Sequence, residues 1–397
     1  MIERLLERLP RGDRGIGWAA ILIGLLAFWV ALPPLKVRTP ILPIVIGLAA
    51  IGLGAWVVSR GVRRLGWGAV AVGILGIALG YLATRSGEGN LEQVVVWSAL
   101  FAAMLRYATP LAFAAMGGIF SERSGVVNVG LEGMMLAGAF FGIYGADKLG
   151  SWPLGLLCGA LAGGALALVH AFFAIHLRAD QIVSGFAINF LAAGVTGYIF
   201  LDQYAGAGTP PDVPKIPNVE LGFLRDWYFV GPILGQLNLM IWLAFLTIVA
   251  TWIVLFKTPI GLRLRAVGEH PRAADTVGIS VYKIRYAAVT LSGVLAALGG
   301  AYLSIGFLSS FNQNMTAGRG FIALAAVIFG NWRPWGAAAA ALLFGFSSAL
   351  APRLATYSES AQVLFQALPY VLTLIAVAGV IGRSIPPAAV GRPYKKQ

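Results

Sequence analysis

The sequence predicts an all-α fold, a polytopic transmembrane helical bundle of about twelve segments, and three observations predict it. The chain is 58% hydrophobic and only 11% charged, whereas a soluble domain carries roughly 25% charged residues to solvate its surface. Its apolar residues fall in runs of about 20, the helix length that crosses a bilayer core. Its Lys and Arg sit in short clusters between those runs, as loops on one face of a membrane do. A mean hydropathy of +0.81, with 51 Gly and 11 Trp, fits helices packed through small residues and anchored by interfacial aromatics.

The runs, in order, are 16–35, 40–59, 66–84, 92–120, 126–146, 153–177, 181–201, 236–257, 283–308, 319–332, 335–352 and 360–382. The first is not read as a cleavable leader, because it ends in "ALPPLKVR" without a small-residue cleavage site and two further runs follow it. Run 92–120 is too long and is interrupted by Arg106 and by "ATP" ending at Pro110, while 319–332 is too short. Both are expected to be broken or re-entrant helices, which are tolerated where protein or a water-filled cavity satisfies their backbone. Clusters at Arg4 to Arg14, Arg60 to Arg64, 257–285 and 383–396 all fall on one side. That places both termini in the cytoplasm and puts loop 202–235, with Asp202, Asp212, Glu220 and Asp226, outside. Lys36 and Arg38 go weakly against this arrangement.

The net charge of +13 therefore reports orientation, not nucleic acid. The single Cys158 excludes an intramolecular disulfide and reads as a small packed residue, and His170, His176 and His270 lack metal-ligand spacing. No GxxxxGK[ST] pattern occurs, so the chain holds no ATP phosphates by a P-loop.

Most of the 16 acidic residues lie in loops or at segment ends, but Glu132, in "SERSGVVNVGLEGMM", falls inside an apolar run. An intramembrane carboxylate is a functional candidate. With Asn128 it either faces a solute or locks a broken helix. A second polar stretch, "SSFNQNMTAGRGF", offers Phe311, Asn312, Asn314 and Arg319. Both stretches follow a Gly pair, Gly117-Gly118 and Gly299-Gly300, and run in opposite directions in the expected topology, a weak sign of an inverted repeat. Asn189 is a third buried amide, suited to a helix-to-helix hydrogen bond or to a substrate.

Loop 257–285 has another logic. Pro271 suits the first turn of a short helix, Ala273 and Ala274 continue it, and Gly278 suits its end. A helix of about two turns is unstable alone and must dock on something. Its surroundings carry Arg263, Arg265 and Arg272.

The stretches "ATPLAFAAMGGIFSERSGVVNVGLEGMMLAGAF", "LRADQIVSGFAINFLA", "GLRLRAVGEHPRAADTVGISVYKIRY", "NMTAGRGFIALAAVIFGNWRPWGA" and "GRSIPPAAVGRPY" closely resemble the permease subunits of bacterial nucleoside ABC importers, within the ribose and branched-chain amino acid permease superfamily. The resemblance implies a permease core at 91–394 and an N-terminal extension, 1–90, with three extra transmembrane helices. It implies a second permease of the same superfamily, an ATPase with two nucleotide-binding cassettes that holds ATP and Mg, and an extracytoplasmic substrate-binding protein. This chain then binds no cofactor and sits in the inner membrane. The docking loop becomes the ATPase coupling site: Gly261, Arg263, Arg265, Gly268, Glu269, His270, Pro271, Arg272, Ala274 and Gly278. His270 stands where relatives carry Asn, a better helix cap, so the entry to this helix is expected to be looser.

The leading reading is a nucleoside importer permease with a path lined by Asn128, Glu132, Asn189, Phe311, Asn312, Asn314 and Arg319. A simple-sugar importer is the runner-up. An ion-coupled carrier would need several midplane ionisable groups, and a membrane enzyme would need an acid-base or metal constellation that the sequence lacks.

Overall fold

The computed structural model describes residues 12–31, 37, 39–85, 96–206, 208–210, 212–225, 227, 230–355 and 384–396. The chain divides into two units, Met1–Phe101 with Ser347–Arg383, and Ala102–Phe346 with Ser384–Gln397. The expected span at 360–382 lies outside the described residues.

In the first unit, α1 (Asp13–Trp29), α2 (Ile41–Ser59) and α3 (Arg63–Arg85) pack through glycine. A Cβ on Gly54 would stand 2.9 Å from the Gly66 carbonyl oxygen, and one on Gly73 would stand 2.9 Å from that of Gly47. As one partner's number rises the other's falls, so α2 and α3 are antiparallel. Gly17 meets Leu65 and Gly24 meets Val72, so α1 runs parallel to α3. Apolar side chains gain nothing by leaving lipid for protein, so this close approach supplies the attraction that helices in water get from burial. Trp29 stacks on Trp97 at 4.8 Å.

The second unit is built around α5 (Leu131–Leu149), which is buried on nearly every side. Around it stand α4 (Trp97–Arg123), α6 (Trp152–Ala171), α7 (Gln181–Tyr204) and α11 (Val281–Ala301). A Cβ on Gly300 would overlap the Met135 carbonyl, and one on Gly138 would overlap Ala297, so α5 and α11 cross almost backbone to backbone. Both α6 and α11 end in wider π turns, Phe172–His176 and Tyr302–Phe307. Helix α8 (Leu239–Lys257) leads to the short helices α9 (Pro259–Glu269) and α10 (Pro271–Thr276), and α12 (Arg319–Phe329) precedes α13 (Pro334–Ala355).

Among the described residues eight helices are long and apolar enough to cross a membrane, and α12 and Gly15–Trp29 are shorter apolar helices. Helix α5 has the length but carries Glu132, Asp147 and Lys148.

Two expectations are corrected. Helix α4 is continuous through Pro110, not broken there. Proline removes the bond to the Arg106 carbonyl and crowds the preceding turn, but that is one bond in a 27-residue helix, and the helix carries on. The break comes later, at Ser124 to Gly130, so α5 begins at Leu131 instead of 126 and Asn128 lies in a loop. The sequence reading also passed over α9, and over a small antiparallel pair in the loop between α7 and α8. There β1 (Asn218–Glu220) and β2 (Gln236–Asn238) align Val219 with Leu237. Asn238 ties this pair to the π turn after α11 by donating to the Gly306 carbonyl at 3.3 Å, and it also donates to the Ile216 carbonyl, just before β1, at 3.0 Å.

Replacing Gly300 with Val should force α5 and α11 apart, at a cost of about 1–3 kcal/mol or more. A lower melting temperature of the purified protein in detergent is the expected result, with Gly52→Val, where a Cβ meets open space, as the unaffected control.

Candidate functional site

Loop 124–130 is irregular backbone that is largely buried, so its backbone groups need partners inside the protein. Gly125, at φ +94°, makes the turn out of α4 in a conformation that disfavours a side chain. The Val127 N–H donates to Gln181 Oε1 at 2.7 Å, and its carbonyl faces His170 Nε2 at 3.0 Å. A carbonyl only accepts, so His170 carries a proton on Nε2; its Nδ1 lies 3.0 Å from the Ser184 hydroxyl. Asn189 on α7 closes the loop from both ends, donating to the Val129 carbonyl at 3.1 Å and accepting from the Gly133 N–H at 2.7 Å.

Glu132 sits in the first turn of α5, is buried, and reaches across to α12. Its Oε1 accepts from the Gly318 N–H at 2.8 Å and its Oε2 from the Gly320 N–H at 2.6 Å. The first N–H groups of a helix have no partner within it, and negative charge is favoured at that end. One carboxylate thus serves the N-termini of two helices. Gly320 is what lets them meet, because a Cβ there would lie 2.5 Å from Glu132 Cα.

The other expected path residues scatter around this junction. Asn128 Nδ2 donates to Ser292 Oγ at 3.0 Å, and its Oδ1 is buried with no hydrogen-bond partner. Arg319 folds back on its own turn, bonding the Met315 and Thr316 carbonyls at 2.9 and 3.0 Å. Phe311 is packed edge-on between Phe140 and Phe200, with ring centres 5.1 and 5.2 Å away. Asn312 and Asn314 are exposed, on the irregular stretch ahead of α12.

The docking loop forms two helices. Thr258 caps α9, its Oγ1 accepting from the Gly261 N–H at 3.2 Å, with Pro259 in the first turn. Helix α10 opens at Pro271 with no cap from the His270 side chain, and Gly278, at φ +81°, ends the turn after it. Gly261 and Gly268 lie so close to the Val254 and Arg123 carbonyls that a Cβ would overlap them. Arg265 lies over the Phe256 ring at 5.0 Å. Arg263 and Arg272 are exposed, and Ala274 is buried beside Val267, Val281 and Tyr394. The Tyr394 phenol is held above its ordinary pKa, by burial first and then by its hydrogen bond to Asp275 and that group's charge.

Tyr394 belongs to a C-terminal strap, residues 384–396, that joins the two regions. The Ala389 N–H donates to the Gly268 carbonyl at 2.9 Å, the Ala388 N–H to Glu269 Oε2 at 3.1 Å, and the Gly391 N–H to the Gly125 carbonyl at 3.2 Å. The Ile385 N–H donates to Asn331 Oδ1 at 3.0 Å, in the turn after α12. Arg285, 1% exposed, donates to the Ser124 and Arg392 carbonyls, each at 3.2 Å. Sequence reasoning missed Arg285, His170, Gln181 and Ser292, although the criterion that found Glu132, a polar group inside an apolar run, applies to His170 and Ser292 as well. Among the described residues no group of three His, Cys, Asp or Glu is placed to hold a metal.

Asn189→Ala should leave the Gly133 N–H and the Val129 carbonyl without partners and destabilise the protein by about 1–3 kcal/mol. Glu132→Gln presents an amide N–H where Gly318 or Gly320 needs an acceptor and should cost a similar amount. Thermal melting in detergent measures both, and a Glu132→Gln protein as stable as the parent would contradict the assigned role.

A sequence profile described as "Branched-chain amino acid transport system / permease component" matches residues 100–377, leaving α1 to α3 outside. The chain is 43% identical over 327 residues to the guanosine ABC transporter permease protein NupQ of Bacillus subtilis, covering 77% of this chain and 99% of that protein. It is 42% identical over 317 residues to the nucleoside ABC transporter permease protein NupC of Lactococcus lactis subsp. cremoris, covering 77% and 98%. It is 36% identical over 255 residues to the putative glucose ABC transporter permease protein TsgC13 of Haloferax volcanii, covering 63% and 76%. No solved structure matches. With a matched profile over most of the chain and relatives aligned almost end to end, this chain belongs to the branched-chain amino acid transport system permease family.

Proposed function

We propose that the chain is the permease subunit of an ATP-driven ABC importer of nucleosides in a bacterial inner membrane. The observation that carries this is its similarity, over 77% of this chain and nearly all of theirs, to two permeases named for guanosine and nucleoside transport. Residues 91–394 form the transport core, the chain crosses about twelve times, and both termini are cytoplasmic because the basic clusters fall on that side. The segment 1–90 is an N-terminal extension with three extra transmembrane helices. The partners are a second permease of the superfamily, an ATPase with two cassettes that holds ATP and Mg, and an extracytoplasmic binding protein. This subunit hydrolyses nothing.

In this reading α10 docks in the ATPase. The Tyr394 packing against Ala274 and the bonds of Ala388 and Ala389 to Glu269 and Gly268 support the strap as the part that feels its motion. The same strap touches the Gly125 backbone and the Asn331 side chain, so a pull on the coupling end reaches the loop before α5 and the turn after α12. Among the path residues, Asn312 and Asn314 offer exposed amides for ribose hydroxyls and base edges, and Asn128 Oδ1 offers an unspent acceptor. Glu132, Asn189 and Arg319 act from behind, holding the backbone that faces the solute. Glu132 is a poor ion-coupling site because both its oxygens already hold backbone N–H groups. A sugar importer is the second reading, favoured by the similarity to a putative glucose permease.

Vesicles containing the chain with its second permease, ATPase and binding protein should take up labelled nucleosides, and not ribose or glucose, only when ATP is supplied. Replacing Pro271 to Thr276 with a glycine linker should abolish uptake while leaving the permease in the membrane. Uptake of glucose or ribose in preference would select the sugar reading. Uptake that follows a pH or sodium gradient without the ATPase would overturn both.

A further inference from the structure

We infer that the permease carries a site for one anionic phospholipid beside its coupling helix, with the headgroup phosphate held by Arg263 and Lys283. A cavity of about 480 Å³ opens between the end of α8, α9 and the start of α11. Phe120, Ile284, Ala287 and Leu291 line it, Arg263 and Lys283 are its cations, and no carboxylate lines it.

Three features place it at a lipid headgroup. Lys257 stands over the Trp252 ring at 5.5 Å, at the end of α8. Such a pair marks the boundary between the apolar core and the headgroups, and α9 begins two residues later. Ile260 and Val277, which also border the cavity, are 67% and 74% exposed, as is the adjacent Leu262 at 63%. Apolar side chains so placed are costly in water and at home against acyl chains. The cavity wall then runs from Ser280 to Leu291 along α11, a length of about 16 Å at 1.5 Å per residue. That extent carries it from headgroup level into the hydrocarbon, beyond the reach of a soluble ATPase surface. A lipid fits both ends: phosphate between the two cations, acyl chain along the apolar wall. Basic pockets between transmembrane helices on the cytoplasmic side select anionic headgroups in this way. The proposal rests on the membrane orientation and is independent of which solute is transported.

The test is native mass spectrometry of the assembled importer, purified and equilibrated with phosphatidylglycerol or phosphatidylcholine. One phosphatidylglycerol should remain bound per copy of this chain, and phosphatidylcholine should not. The Arg263→Gln, Lys283→Gln double variant should hold it about 30-fold less tightly, the loss expected for two cations near an anionic headgroup. Ala287→Trp, which fills the groove and leaves the charge unchanged, should expel it as well. Size-exclusion elution at the parental volume checks that each variant is folded. Equal retention of the two lipids, or retention by the double variant, overturns the proposal. So does displacement of phosphatidylglycerol by inorganic phosphate with no effect of Ala287→Trp, since the site would then hold an anion only. Binding seen only after the ATPase has been stripped away also overturns it, because the groove would then belong to that subunit.

Discussion

The carboxylate of Glu132, shared between the Gly318 and Gly320 N–H groups, is the interaction on which the membrane core turns. Helix α12 has 11 residues, too few to be stable by itself, and its first N–H groups are packed against α5, where they need a partner within the protein. Holding it requires an acceptor inside the protein, and that acceptor must sit at the end of another helix. Hence α5 starts late, the loop before it stays irregular, and Asn189, Gln181 and His170 are committed to that loop's backbone. Each buried polar residue here answers a need created by the one before it.

The two units solve the same packing problem with the same residue. In the first, glycines on α2 and α3 bring backbones together along an antiparallel pair; in the second, Gly138, Gly300 and Gly320 do so where α5 meets α11 and α12. Side chains on the outer faces, such as Phe190 at 75% and Tyr198 at 73% exposed, point away from this packing. Glycine is a poor helix former by propensity, but in a membrane its lack of a side chain gives contact between backbones that bulkier residues prevent.

Much of this was legible in the sequence, in proportion to how local the cause was. The apolar runs show where helices form, Pro271 and Gly278 mark the short docking helix, and the odd position of Glu132 inside a run marks a special place. What the sequence left hidden depends on distant partners. Pro110 looks like a break, yet the surrounding helix continues because one lost hydrogen bond is small beside the packing of a 27-residue helix. The sequence does not show that Asn189 bonds the Gly133 N–H and the Val129 carbonyl, more than fifty residues away. Nor does the sequence show that Phe311, expected to line the path, packs between Phe140 and Phe200. Helix α9 hid among basic residues that had already been explained by membrane orientation.

The strap at 384–396 has a consequence for how the protein is made. Domains form as the chain emerges from the ribosome, N-terminal parts first. The loop at Ser124 to Gly130 enters the membrane early, yet two of its carbonyls, Ser124 and Gly125, are engaged by Arg285 and by the Gly391 N–H, and the Arg285 side chain in turn bonds Arg392. Until those residues have been synthesised, the break loop is held from the ends of α4, α6 and α7 but lacks these two bonds. Residues made long after the loop therefore act as its closing stitch, and the loop's bonds are complete only once Gly391 and Arg392 have been made.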